Sequence, residues 1–496
     1  MTTSGPVAGE RTASGAVFRG IPYAEAPVGD RRFRPPQRPT PWTETRQATT
    51  FGPIVPQNVI PGSFASFNST HPMGADCLSL NVWTPDPGNA GLPVFVWVHG
   101  GAFNTGSGSD SIYDGTTFAR QGVVCVTVNY RLGAAGFHHL ADGEPGTGAY
   151  GILDQIAALE WVQENIAAFG GDPGNVTVGG ESAGGMSVGC LLAAPAAANL
   201  FHRGILQSGA GHNGLPPEVA RNVAARFVAA LGLSPDDLDG QRAVSDQALL
   251  EAQAQVALEV ASSGDPVTYG DAVASGMAWQ PMIGADVLPV LPIEAIRKGA
   301  AAGKDVLVGH CRDEIQLFVG VAPELLPITA EILPAMYDMT FATGTRSGAE
   351  AMKTYEERLG DTPVLDLWAA METDRQFRIP GIRLAEAQTA YATVHAYEFA
   401  WESPALGGRL KAAHGLDLPF TWDVLRDPSL ADLIGDTPPQ ELADEMHGAW
   451  VRYITTGDPG WRPYDLDRRV TRQFGGAGGE VEDPRPEERL LWDGVR

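Results

Sequence analysis

Two apolar runs in the chain are too short for helices and too unbroken to lie half in water. Leu92–Val98 (LPVFVWV) reads as a fully buried parallel strand. Val176, Thr177 and Val178 form a β-branched run after the turn residues Asp172 to Asn175 and read as a second buried strand. Beyond a glycine-rich turn, Met186, Val188 and Leu191 take helical apolar spacing. Asp305 to Gly309 reads as a further strand, TVHAYEFAW has β-rich character, and ELADEMHGAWVRYI reads as an amphipathic helix. Between predicted strands, 216–276 is rich in alanine and helix formers, and 319–380 is mainly helical. No internal repeat, low-complexity tract or long linker interrupts the pattern.

The turn between the second strand and its helix carries Ser182, with Gly180 and Gly184 two residues to either side. A turn sharp enough to lift a hydroxyl clear of the backbone forces strained dihedrals and brings strand and helix close together. Glycines remove the Cβ atoms that would clash. In a chain with 60 glycines G-x-S-x-G also arises by accident. Here strand, elbow and helix supply the setting that the motif requires.

A nucleophilic serine needs a base, a group that orients the base, and donors for a developing oxyanion. The strand at Leu92–Val98 opens directly into His99, Gly100 and Gly101, so backbone N–H groups at that turn can converge on one anionic oxygen. The donors are assigned to Gly101, Ala102 and Ala183. On its own, His-Gly-Gly would be a structural turn. For a serine on such an elbow the chain order runs serine, acid, histidine. That leaves His310, His395, His414 and His447 of the ten histidines. His395 reads as a strand residue, His447 lies on the amphipathic helix, and His310 immediately precedes the acid region. His414 lies in KAAHGLDLPF, where Gly415 and Pro419 mark irregular backbone of the kind that carries catalytic side chains. DVLVGHCRDE supplies the acid as Asp313 or Glu314, and spacing does not choose between them.

The series GAVFRGIPYAEAPVGDRRFRPP, ADCLSLNVWTP, HGGAF, VTVNYRLGAAGF, the elbow, LQSGA, CRDE, AAHGLDLPF and the tail WRPYD with ERLLWDG resembles the type B carboxylesterases over nearly the whole chain. That family includes bacterial para-nitrobenzyl esterases and the cholinesterases. The resemblance implies an α/β fold of the α/β-hydrolase kind, with a central, mostly parallel sheet and helical insertions walling a substrate gorge. It makes Ser182 the nucleophile, His414 the base and Glu314 the acid, with Glu181 and Ser208 as supporting residues. It implies a serine carboxylesterase cleaving short-chain or aryl esters through an acyl-enzyme, with no cofactor and no metal. Amide or carbamate hydrolysis would use the same triad, and a binding module that has lost catalysis is the remaining alternative.

Four departures qualify that resemblance. Ala102 stands where the family has a third glycine, which puts a methyl near the pocket. Ile315 follows Glu314 where glycine is usual. Ala75 replaces an acidic residue that would pair with Arg32, so that ion pair is expected to be missing. No cysteine or tryptophan lies between Thr49 and Asp76, which argues against a cholinesterase and leaves Cys77 without a disulfide partner.

A length of 496 residues would ordinarily suggest two or more domains, but such folds grow by insertion. One catalytic domain over 1–496 is expected, with insertions at about 216–276 and 319–380. Met277, Trp279, Phe318, Leu325 and Met339 are candidates for an apolar pocket, although any one such residue is more often simple core packing. The net charge of −25 opposes nucleic acid and anionic membrane as partners. No stretch approaches the roughly 20 apolar residues of a membrane span, and the amino terminus has no signal-like pattern. Cys77, Cys125, Cys190 and Cys311 have no C-x-x-C spacing and are expected as thiols. A small-molecule ester is the expected partner, the cytoplasm the expected compartment and a monomer the favoured state.

Overall fold

The apolar run that predicts the first strand ends where that strand ends, at Leu92–Val98. The computed structural model describes residues 1–60, 62–88 and 91–495. They divide into two compact units: Met1–Ile60, Phe67–Ile205 and Gly211–Lys304 in the first, and Pro61–Ser66, Leu206–Ala210 and Asp305–Arg496 in the second.

In the first unit, β1 (Glu10–Thr12), β2 (Gly15–Pro22), β3 (Ser79–Thr84), β4 (Leu92–Val98), β5 (Val124–Val128) and β6 (Gly171–Glu181) lie in the order β6-β4-β5-β3-β2-β1. The pairs β1/β2, β2/β3 and β3/β5 are antiparallel, while β4 is parallel to both β5 and β6. A parallel strand covered on both faces must be apolar on both, which is why Val94 to Val98 form a continuous buried run. Each of those side chains contributes about 1.5–3 kcal/mol of burial at most. The register sets Val98 beside Gly180, so the ends of β4 and β6 are neighbours.

The strand at β6 is longer than its β-branched run, because Asp172–Asn175 belongs to it as an irregularity. Leu92 pairs with Gly171 but Val94 with Val176, and the Asp172 carboxylate accepts the Gly174 N–H at 2.8 Å. Helices α1 (Tyr150–Asn165) and α2 (Ala183–Ala193) flank the strands, and every residue of α2 is buried. The segment 216–276 is helical as expected. Its longest elements are α3 (Pro217–Ala230) and α4 (Asp246–Ser263), the latter capped by Ser245 and closed by Gly264 at φ 59°. β7 (Arg203–Gln207) gives Arg203–Ile205 to the first unit and its last two residues to the second.

In the second unit, β8 (Asp305–Cys311), β9 (Val394–Phe399), β10 (Val470–Phe474) and β11 (Gly479–Glu482) lie in the order β11-β10-β9-β8, parallel except for the β10/β11 hairpin. Helix α5 (Gly348–Leu359) starts at a capping box of Ser347 and Glu350. Helix α6 (Val364–Thr373) passes through a π-helical turn at Asp374–Arg378 into α7 (Ile379–Gln388), so the helical run continues beyond Pro380. Tyr337, Tyr355, Met371, Ile379 and Trp492 form a core between these helices and the C-terminal segment. Among the described residues, no helix is long and apolar enough to cross a membrane.

Candidate active site

Ser182 sits between β6 and α2 with φ 56° and ψ −124°, a conformation that costs a non-glycine residue about 1–3 kcal/mol. The flanking glycines explain how the turn is possible. A Cβ on Gly180 would lie 2.4 Å from the Gly184 carbonyl carbon, and one on Gly184 would lie 2.0 Å from the Val98 oxygen. Both contacts are with backbone, so no side chain can move aside to admit them.

The loop after β4 is built against this elbow. A Cβ on Gly100 would meet the Glu181 carbonyl at 2.8 Å and the Ser182 Cβ at 3.2 Å. Gly101, Ala102 and Phe103 then run through positive φ values of 104°, 53° and 60°, and the Gly101 carbonyl is turned to accept from the N–H groups of Asn104 and Thr105. Among the described residues, the backbone N–H groups of Gly101, Ala102 and Ala183 donate no hydrogen bond. His99 braces the loop from behind. Its Nδ1–H donates to the Gly100 carbonyl at 2.8 Å and its ring stacks on Tyr130, whose hydroxyl donates to the His99 carbonyl at 2.9 Å. Burial pushes the His99 pKa down to about 4, so the ring is neutral.

Glu314 and His414 come together in the second unit. The His414 Nδ1–H donates to Glu314 Oε2 at 2.6 Å, and the other carboxylate oxygen accepts the Cys311 N–H at 2.8 Å. The His414 N–H also donates to the Glu314 carbonyl at 3.1 Å, and the Glu314 carboxylate is fully buried. Asp313 points elsewhere: its carboxylate takes two donors from Arg312, and its backbone is tied to Ala412. Of the two carboxylates that spacing leaves open, Glu314 is the one whose side chain meets His414, while that of Asp313 meets Arg312.

His395 lies on β9 and His447 on α8 (Gln440–Thr456), where its Nδ1–H donates to the Thr421 carbonyl. His310 lies on β8 with Nε2 3.9 Å from Glu398. Ser208 is buried at φ 49°, its N–H donating to the Gly309 carbonyl at 2.8 Å, and Glu181 is buried at the end of β6. Of the apolar candidates, Trp279 packs on Phe227 in the core of the first unit, Met277 is buried, Leu325 and Met339 are exposed, and Phe318 lies near Phe64. Ala102 is exposed.

Arg32 does have a carboxylate partner: in place of the acid absent at Ala75, Asp246 of α4 takes its guanidinium at 2.5 Å. All four cysteines are buried, and burial pushes the Cys77 and Cys190 thiols up to about 12.

Sequence reasoning passed over Asp417, which is fully buried behind the Glu314–His414 pair. Its Oδ2 accepts from Gln207 at 2.9 Å and from the Tyr397 hydroxyl at 2.8 Å, and the Gln207 side-chain oxygen accepts from Trp450 at 3.0 Å. Burial, reinforced by the charge on Glu314, pushes the Asp417 carboxyl up. Its place within AAHGLDLPF was the only available signal.

Comparison with known proteins matches residues 1–471 to the carboxylesterase family. A para-nitrobenzyl esterase of Bacillus subtilis is 38% identical over 486 residues, covering 95% of this chain and 94% of that protein. Phenmedipham hydrolase of Pseudarthrobacter oxydans is 34% identical over 495 residues, covering 97% and 95%. A Geobacillus stearothermophilus carboxylesterase structure is 39% identical with a TM-score of 0.86 over 99% of each chain. A thermophilic pNB esterase structure is 36% identical with a TM-score of 0.85 over 99% of this chain and 98% of that one. The fold shared with these structures is the α/β-hydrolase fold, a large, mostly parallel sheet with helices.

Proposed function

Since the chain belongs to the carboxylesterase family and is a carboxylic ester hydrolase, we propose that it cleaves short-chain or aryl esters through an acyl-enzyme formed on Ser182. The observation that carries this reading is the positive-φ Ser182 at the β6–α2 elbow, beside a loop in which the Gly101 and Ala102 N–H groups donate no hydrogen bond among the described residues.

In this reading Ser182 Oγ attacks the ester carbonyl as His414 Nε2 takes its proton. Glu314, bound to Nδ1–H, fixes the tautomer and stabilises the imidazolium that forms. The N–H groups of Gly101, Ala102 and Ala183 receive the oxyanion, and each such donor is worth about 2.7–4 kcal/mol of barrier. His414 then protonates the leaving alcohol. Water repeats the sequence on the acyl-enzyme, so the steps use only the chain's own groups and water. Glu181 and Ser208 support the site without entering the chemistry.

We read the chain as one catalytic domain with helical insertions, supported by a single family model running through both compact units. Four buried thiols support a reducing, cytoplasmic setting, and a monomer is the working state. The name of the Bacillus relative makes a para-nitrobenzyl ester the first aryl substrate to try.

Hydrolysis of para-nitrophenyl acetate, butyrate and octanoate and of a para-nitrobenzyl ester by wild type and Ser182→Ala tests the proposal. Activity on the short or aryl esters that vanishes in the variant supports it. An inactive wild type, or an active variant, overturns it.

A further inference from the structure

Proline inside a helix has no N–H to donate and crowds the carbonyl four residues back, so a helix that continues past one must absorb the fault. Pro380 is such a residue, and the fault is taken up one turn earlier. The Ile379 N–H reaches back five residues to the Asp374 carbonyl, which makes Asp374–Arg378 a π-helical turn. Wider turns of this kind are uncommon and concentrate at functional sites. Here Glu372, Thr373, Asp374, Arg375, Phe377 and Arg378 are all buried, an unusual run for a helix that would ordinarily present one face to water.

The back of the turn is anchored by charge. Asp374 accepts from Arg378 Nη1 at 2.9 Å and from the Tyr355 hydroxyl at 2.8 Å, while Arg378 Nη2 donates to the carbonyls of Pro484 and Arg485 at 2.6 and 3.0 Å. Arg375 is held by Glu372 at 2.6 Å. The front of the turn meets the Glu314–His414 pair twice. Thr373 Oγ1 accepts the N–H of Ile315, the residue after Glu314, at 3.3 Å. The Phe377 ring lies 4.8 Å from the His414 ring, with the planes at 40°.

We propose that this π-helical turn is a positioning clamp for the acid–base pair, with Thr373 holding the backbone at Glu314 and Phe377 holding the imidazole of His414. The inference rests on the catalytic roles proposed for Glu314 and His414. Thr373 and Phe377 are four residues apart and so share one face of the helical run, and that face meets the pair. The buried Arg378–Asp374 contact fixes the turn against its own fault. Phe377 also sets an aromatic ring next to a group that becomes cationic in the transition state, where the ring quadrupole favours the charge. Phe377 and Thr373 are positioning residues: they act through His414 and Glu314.

The test measures kcat per active site, titrated by the para-nitrophenol burst, on para-nitrophenyl butyrate for Phe377→Leu, Phe377→Tyr, Thr373→Val, Thr373→Ser and His414→Ala. Burst titration removes any loss due to misfolded protein, which is all that a merely structural role would give. Phe377→Leu is expected to lower kcat by roughly 2- to 30-fold with KM unchanged, the range that a cation–ring contact is worth. Phe377→Tyr, which keeps the ring, restores it. Thr373→Val lowers kcat in the same way and Thr373→Ser, which keeps the acceptor, restores it. Should both Phe377→Leu and Thr373→Val retain wild-type kcat per titrated site while His414→Ala is inactive, the clamp is refuted and the assignment of His414 stands. An active His414→Ala refutes that assignment and the clamp with it.

Discussion

Replacing Glu314 by glutamine changes one atom, and the hydrogen bonds around it set what that change costs. Both carboxylate oxygens are committed: Oε1 accepts the Cys311 N–H at 2.8 Å and Oε2 accepts from His414 Nδ1 at 2.6 Å. A glutamine has one oxygen and one NH2 to place between two donors. With its oxygen on the rigid backbone N–H of Cys311, its NH2 faces His414 Nδ1, which must then become an acceptor. The imidazole proton moves to Nε2, the atom that takes the proton from Ser182 in the proposed mechanism. The wrong tautomer at a catalytic histidine costs about four orders of magnitude in turnover, equivalent to about 5 kcal/mol of barrier. Asp313→Asn leaves this pair untouched, since Asp313 is bound to Arg312 and Ala412, and is expected within a few-fold of wild type. Steady-state hydrolysis of para-nitrophenyl acetate by the two variants decides the matter. Glu314→Gln with more than a tenth of wild-type kcat, or Asp313→Asn with a loss of the same size, would refute the reasoning.

Three further outcomes are expected. Gly184→Ala places a Cβ 2.0 Å from the Val98 carbonyl, an overlap between backbones that costs about 3 kcal/mol or more, so thermal melting should show a clear loss of stability and any soluble protein should have a weak acyl burst. Ala102→Gly removes a left-handed strain of about 1–2 kcal/mol, partly offset by the freedom glycine gains in the unfolded chain, so the melting temperature should rise slightly with activity on acetyl esters retained. His99 and His138 are buried neutral, with pKa values pushed down to about 4 by burial. Between pH 6.5 and 4 the unfolded chain binds protons that the folded one refuses, so stability falls as pH falls through that window, by a few kcal/mol for each ring; urea midpoints from pH 7 to 4 should drop, and drop less in His138→Gln.

The sequence pattern was most readable where a single physical demand governs a stretch of residues. β4 needed to be apolar on both faces and its bounds follow from that. The Ser182 elbow needed glycines at Gly180 and Gly184, and the clashes a Cβ would meet there are the reason. What the pattern could not separate was Asp313 from Glu314, because direction on an irregular turn depends on partners such as Ala412 that lie far along the chain. The salt bridge of Arg32 was missed for the same reason: the expected partner position, Ala75, is empty of charge, and the actual partner, Asp246, lies on a helix of the 216–276 segment. Pro380 reads as the end of a helical segment, yet α7 runs on to Gln388, because the buried contacts of Asp374 and Arg378 offset the lost hydrogen bond. Asp417 was within a quoted motif, but burial is a property of the fold and left no mark in its spacing.

The burial of every cysteine makes the native surface silent toward thiol reagents. A cysteine introduced at any exposed position would therefore be the one group to react while the fold is intact, which permits single-site attachment of a dye or spin label without first removing native residues. The four native thiols become clocks. Cys190 lies on α2 beyond Ser182, and Cys311 lends its N–H to Glu314, so the rate at which each is alkylated reports how often its own neighbourhood opens. Two different rates would mean that the ground under the serine and the ground under the acid loosen independently.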